Sequence, residues 1–170
     1  MTPMRRPHFV VGAAVVLALA ACGPKPKRPR ARADLRDAES KVVARVYIGE
    51  NAEGVLFDVF AQGLPAGTHA VHIHESAQCD PPGFATASSH APELGKKLSL
   101  VPNWDIGRLT VGPDGKGTAQ FLAPRIKVSG IGPTALLREG GTALVVHPEA
   151  GDNAESSGAS ARACGPIVKL

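Results

Sequence analysis

Histidine and cysteine are both scarce in this chain, at six and three among 170 residues. A run long enough to cross a membrane is missing too. A spanning helix needs about 20 consecutive apolar residues, and the stretch from Phe9 to Ala21 stops short of that. A sustained helical period is absent, which excludes a helical bundle. Residues 133–141, PTALLREGG, hold a helical turn at most. A basic surface is lacking as well, despite the pI of about 9.2. Eight of the 19 Lys and Arg lie before residue 41, against three of the 15 Asp and Glu. Residues 41–170 carry eleven basic and twelve acidic side chains, a net charge of −1. The basic balance belongs to the N-terminal stretch, so nucleic acid is not an implied partner.

That N-terminal stretch has its own logic. Arg5 and Arg6 precede the apolar run, in the order of a secretory signal over residues 1–21. The run ends in LAAC, which resembles a bacterial lipobox and makes Cys22 the expected acylated first residue of the mature chain. Gly23 comes next, and by resemblance to Gram-negative lipoproteins the absence of aspartate there points to the periplasmic face of the outer membrane. Residues 22–40 are rich in proline and basic side chains, which reads as a lipid-anchored disordered tether. Cys79 and Cys164 remain as an even pair in an exported chain, and an oxidising compartment predicts a disulfide between them.

The folded domain is then expected over residues 41–170. Residues 41–61 alternate in polarity on either side of the turn GENAEG. GLPAGTH is a second turn, leading into the strand AVHIHE. IGRLTV and TAQFLA flank GPDGKG, where Asp114-Gly115 supplies a tight turn and predicts a hairpin. TALVVH is a further strand and CGPIVKL a closing one. Short strands separated by turn signals predict an all-β sandwich or Greek-key barrel, with two long loops at about residues 75–104 and 148–163.

Half of the histidines fall in the segment HAVHIHESAQC, residues 69–79. Alternate residues of a strand share a face, so His72 and His74 project together while Ile73 points into the packing. His69 has the wrong parity and is expected to be a buried histidine bonded to backbone. His90 lies in the first long loop, and His147 ends TALVVH at the mouth of the second. Four imidazoles without a nearby thiolate suit Cu(II).

The segments GLPAGTHAVHIHESAQC, SSHAPE, WDIGRLTVGPDGKG, GGTALVVHPEAGDN and RACGPIV resemble, in order, the copper/zinc superoxide dismutase family over roughly residues 41–170. The resemblance implies an eight-stranded Greek-key β-barrel. It implies copper on His72, His74, His90 and His147, with His90 also able to carry a proton. It implies a disulfide from Cys79 to Cys164, and dismutation of superoxide to O₂ and H₂O₂.

Two departures from the family matter. Its zinc site needs three histidines and an aspartate. His90 matches the histidine shared with copper and Asp105 matches the aspartate, but residues 91–104, APELGKKLSLVPNW, contain no histidine, and Pro102 stands where one belongs. A four-ligand zinc site cannot be completed, so copper alone is expected. Asp105 then becomes a candidate to orient His90. The family also has an arginine three residues before the last cysteine, where this chain has Ala161; Arg162, one residue later, is the expected guide for the anion. A copper-binding lipoprotein that buffers the metal with little turnover is the alternative function. Monomer and homodimer both remain open.

Overall fold

The computed structural model describes residues 30–87, 105–148 and 161–170. Cys22, His90, residues 91–104 and most of the second long loop lie outside the described residues. Nine strands succeed one another: β1 Ala31–Arg36, β2 Val42–Glu50, β3 Val55–Gln62, β4 Gly67–His74, β5 Asp105–Val111, β6 Lys116–Ala123, β7 Ala143–Pro148, β8 Ala163–Pro166 and β9 Val168–Lys169. Eight of them form one antiparallel sheet in the order β5-β4-β7-β8-β1-β2-β3-β6, and the two-residue β9 pairs with β1. The β3–β4 and β6–β7 connections cross from one end of that order to the other, which makes the topology a Greek key. The sheet curls into a nearly closed barrel, which leaves little free edge. Among the described residues no helix is long and apolar enough to cross a membrane.

Alternation explains the interior. Ala44, Val46 and Ile48 of β2 pair with Ala61, Val59 and Phe57 of β3, and all are buried. On the other face Arg45 and Tyr47 lie opposite Phe60 and Asp58. Leu136, Val128 and Ile126, from the connection after β6, complete the core.

Residues 22–29 lie outside the described residues, and strand β1 corrects the later part of the tether expected over residues 22–40. Its sequence, ARADLR, alternates small or apolar with charged, and Ala31, Ala33 and Leu35 are all fully buried. One of its outward charges is matched across the ladder: Arg45 Nε of β2 donates to Asp34 Oδ1 at 2.7 Å. That bond from Arg45 holds the Asp34 carboxyl below its usual range. Because the folded pKa is depressed, the pair stabilises the fold above the ordinary carboxylate pKa and loses its effect as pH falls through the lower folded value. Both side chains are partly solvated, so Asp34→Asn should cost less than about 1 kcal/mol at neutral pH. Denaturant unfolding should show the variant and the wild type converging in strong acid.

The hairpin expected at GPDGKG is only half present. The turn forms, with Gly112 N–H donating to Lys116 O at 2.8 Å and Gly115 N–H to Gly112 O at 3.0 Å. Strands β5 and β6, however, pair with β4 and β3 and stand at opposite ends of the sheet order. They meet as the two lips of the barrel seam. There Phe121 lies so close over Gly107 that a Cβ on that glycine would run into its ring. The closing segment CGPIVKL also divides, into β8 and β9, with Ile167 between them turned into the core.

Candidate metal centre

Strands β4 and β7 pair with His72 opposite Val145, His74 opposite Ala143 and His147 opposite Ala70. Paired residues share a face, so all three histidines stand on the outer face of the same two strands. His147 leans along its strand and places its ring among the other two, with centroids 4.9 Å from His72 and 5.5 Å from His74. One nitrogen from each ring lies within 4.8 Å of the others. His74 Nε2 and His147 Nε2 are 3.3 Å apart. Three imidazoles converging in this way, each half-buried, form a donor set that fits a borderline metal such as copper. It is the one such group of three or more among the described residues.

His69 has the opposite parity, as expected. It is buried, and its Nε2–H donates to Pro65 O at 2.8 Å, because a carbonyl can only accept. This bond fixes the turn from which β4 starts.

Cys79 and Cys164 form a disulfide with Cα atoms 5.6 Å apart across a separation of 85 residues. Its placement relates it to the histidines. Across the sheet, Asp105, His72, Val145, Cys164 and Arg36 form one row of register partners on the outer face. The bridge therefore pins the loop after β4 two strands from His72. A small second core of Phe84, Ala87, Ala143, Val145 and Cys164 fills the space beneath that loop. Closing so long a loop can stabilise by about 3–5 kcal/mol in the chain-entropy account. Thiol labelling of the native chain should find neither cysteine. Cys79→Ser should lower the unfolding midpoint and loosen the Phe84 segment.

Arg162 is exposed and sits at an irregularity: its N–H donates to Val146 O at 2.7 Å, while Ala163 is the register partner of Val146. It lines a surface cavity of about 380 Å³ together with Asp37, Glu39, Leu64 and Pro65, and none of the three histidines lines that cavity. Asp105 does reach the histidine face. Its Oδ2 lies 3.9 Å from His72 Nε2, and the same carboxylate accepts from Arg108, a residue that sequence patterns alone do not single out. The one visible signal is the guanidinium three residues after an aspartate, around Gly107.

The pattern of the family described as copper/zinc superoxide dismutase (SODC) matches residues 42–167. "Superoxide dismutase [Cu-Zn] 2" of Aquifex aeolicus is 35% identical over 124 residues, which cover 69% of this chain and 72% of that one. "Superoxide dismutase [Cu-Zn]" of Caulobacter vibrioides is 31% identical over 147 residues, covering 81% and 84% of the two chains. Among solved structures, a SOD-like protein from Bacillus subtilis superposes with a TM-score of 0.65 at 27% identity, covering 81% of this chain and 97% of that one. The Cu/Zn superoxide dismutase of Brucella abortus does so with a TM-score of 0.57 at 26% identity, over 81% and 98%. With the barrel, the histidine face and the disulfide in agreement, the chain belongs to the copper/zinc superoxide dismutase family of oxidoreductases.

Proposed function

We propose that the chain catalyses dismutation of superoxide to O₂ and H₂O₂ at a copper ion held by His72, His74 and His147, with His90 as the fourth ligand and without a zinc partner. The observation that carries this reading is the convergence of three imidazoles on one outer face of the barrel. The names of the relatives support the reaction class. When bound, copper supplies the one-electron chemistry, by which one superoxide is oxidised to O₂ and a second is reduced and takes up two protons. The side chains do the rest. His72, His74 and His147 present ring nitrogens from two adjacent strands, so the barrel pre-organises them. The imidazole of His90 is the assigned proton carrier, since its ordinary pKa lies near working pH. Arg162 is the candidate guide for the anion, and it would act from a cavity it shares with Asp37 and Glu39, apart from the three histidines.

The copper-only reading rests on residues 91–104, where no histidine is available for a second metal. The location belongs to the same proposal: acylation at Cys22, with the barrel held at the periplasmic face of the outer membrane. There it would meet superoxide that a membrane keeps from crossing. The rival reading, a copper buffer with little turnover, makes a different prediction. Copper-loaded protein should consume superoxide catalytically, many equivalents per copper; consumption of a single equivalent would favour the buffer.

A further inference from the structure

Asp105 owes its place to a β-bulge. Strand β5 runs in regular register with β4 from Val111 to Gly107, and then slips: Val71 pairs with Gly107, but His72 pairs with Asp105. Ile106 is the extra residue, and it packs against the core. In a regular ladder Ile106 would face His72, and Asp105 would point to the barrel interior. The bulge instead brings Asp105 onto the outer face that Arg108 already occupies opposite Ala70. Bulges re-aim side chains in this way beside functional sites. Gly107 makes it possible, with φ at +150° and Phe121 where a side chain would be.

The carboxylate so delivered is held from two sides. Oδ1 accepts from Gly107 N–H at 3.0 Å, and Oδ2 accepts from Arg108 Nη1. The same Oδ2 is 3.9 Å from His72 Nε2, an electrostatic contact beyond hydrogen-bond distance. A carboxylate beside Nε2 keeps a proton on that nitrogen and leaves the lone pair of Nδ1 for a metal. The charge His72 feels then depends on how far Arg108 neutralises the carboxylate.

Resting on the copper reading above, we infer that Arg108 is a positioning residue of the metal centre. Through Asp105 it fixes the orientation of His72 and lowers the electron density that His72 lends to the metal. Asp105 thus acts on His72, and the guanidinium of Arg108 is the cation that occupies this carboxylate. Weakening that neutralisation favours the more highly charged metal state, because an unshielded carboxylate stabilises Cu(II) more than Cu(I).

The test uses the full chain loaded with copper. Competition against one Cu(II) chelator and one Cu(I) chelator gives the ratio of the two affinities, and the copper EPR spectrum reports ligand geometry. Arg108→Gln keeps a hydrogen-bond donor and removes the charge. It should raise the Cu(II)-over-Cu(I) preference about three- to tenfold and shift the EPR hyperfine splitting. Arg108→Lys should restore most of the wild-type ratio. In an Asp105→Asn background, Arg108→Gln should have almost no effect, because the coupling passes through the carboxylate. The inference is overturned if Arg108→Gln leaves ratio and spectrum unchanged, or shifts them equally in both backgrounds. Wild-type protein that fails to bind copper at all would instead sink the copper reading, and this inference with it.

Discussion

A chain beginning at residue 41 should fail to fold, whereas one beginning at residue 30 should unfold cooperatively. Residue 41 is where the sequence places the domain boundary, yet β1 lies before it, between β8 and β2 in the sheet. Its six residues pair with β2 along their whole length, and Arg36 pairs with Cys164 of β8. Removing them exposes the edges of β2 and β8 and opens the barrel opposite its existing seam. It also strips Ala31, Ala33 and Leu35 from the core, each fully buried. Truncating a buried leucine alone costs about 2–5 kcal/mol, and the net stability of a domain is only about 5–15 kcal/mol. The loss of a whole interior strand therefore exceeds what the fold can spare. Far-UV circular dichroism with thermal melting decides it. A cooperative transition at the wild-type temperature in the shorter chain would mean that β1 is dispensable.

His147→Ala should remove copper binding and superoxide consumption together while leaving the barrel folded. His147 is half-buried at the end of β7, and its Nε2 is 3.3 Å from His74 Nε2. Its ring is the member of the trio that bridges the two histidines of β4. Loss of a partner that merely supports a ligand lowers metal affinity by about 10- to 100-fold; loss of the ligand itself should exceed that range. The side chain makes little contribution to the main core, so the melting temperature of the metal-free protein should change little. Isothermal titration with Cu(II), beside a melting curve of the metal-free variant, separates the two effects. A variant that keeps copper and activity would place the metal elsewhere.

How much of this was legible in the sequence depends on the element. Strands β4 and β7 were, because the alternation of His72 and His74 around Ile73 and the apolar run that ends in His147 are each local patterns. The Cys79–Cys164 pairing was expected from the even count and the resemblance, and the bridge is present. Strand β1 was not legible. Its inward residues are two alanines and a leucine, and its outward ones are charges that merge with a proline- and lysine-rich neighbourhood. Only distant partners, β2 and β8, make it a strand, so no local window reveals it. The hairpin erred in the opposite direction. Asp114-Gly115 favours a tight turn by its local chemistry, but the ladder partners of β5 and β6 are set by the closure of the barrel. Asp105 and Arg108 show a third kind of limit. Strict alternation places residues three apart on opposite faces, and only a bulge at Ile106 brings these two together.

The central claim, a dismutase working with copper and no zinc, is tested most directly by counting metals in fully active protein. Purified chain supplied with copper alone should reach full superoxide consumption with one copper and no zinc per chain after exhaustive dialysis, and added zinc should not raise its activity. Stoichiometric zinc that survives dialysis, with activity lost when it is withdrawn, would contradict the account.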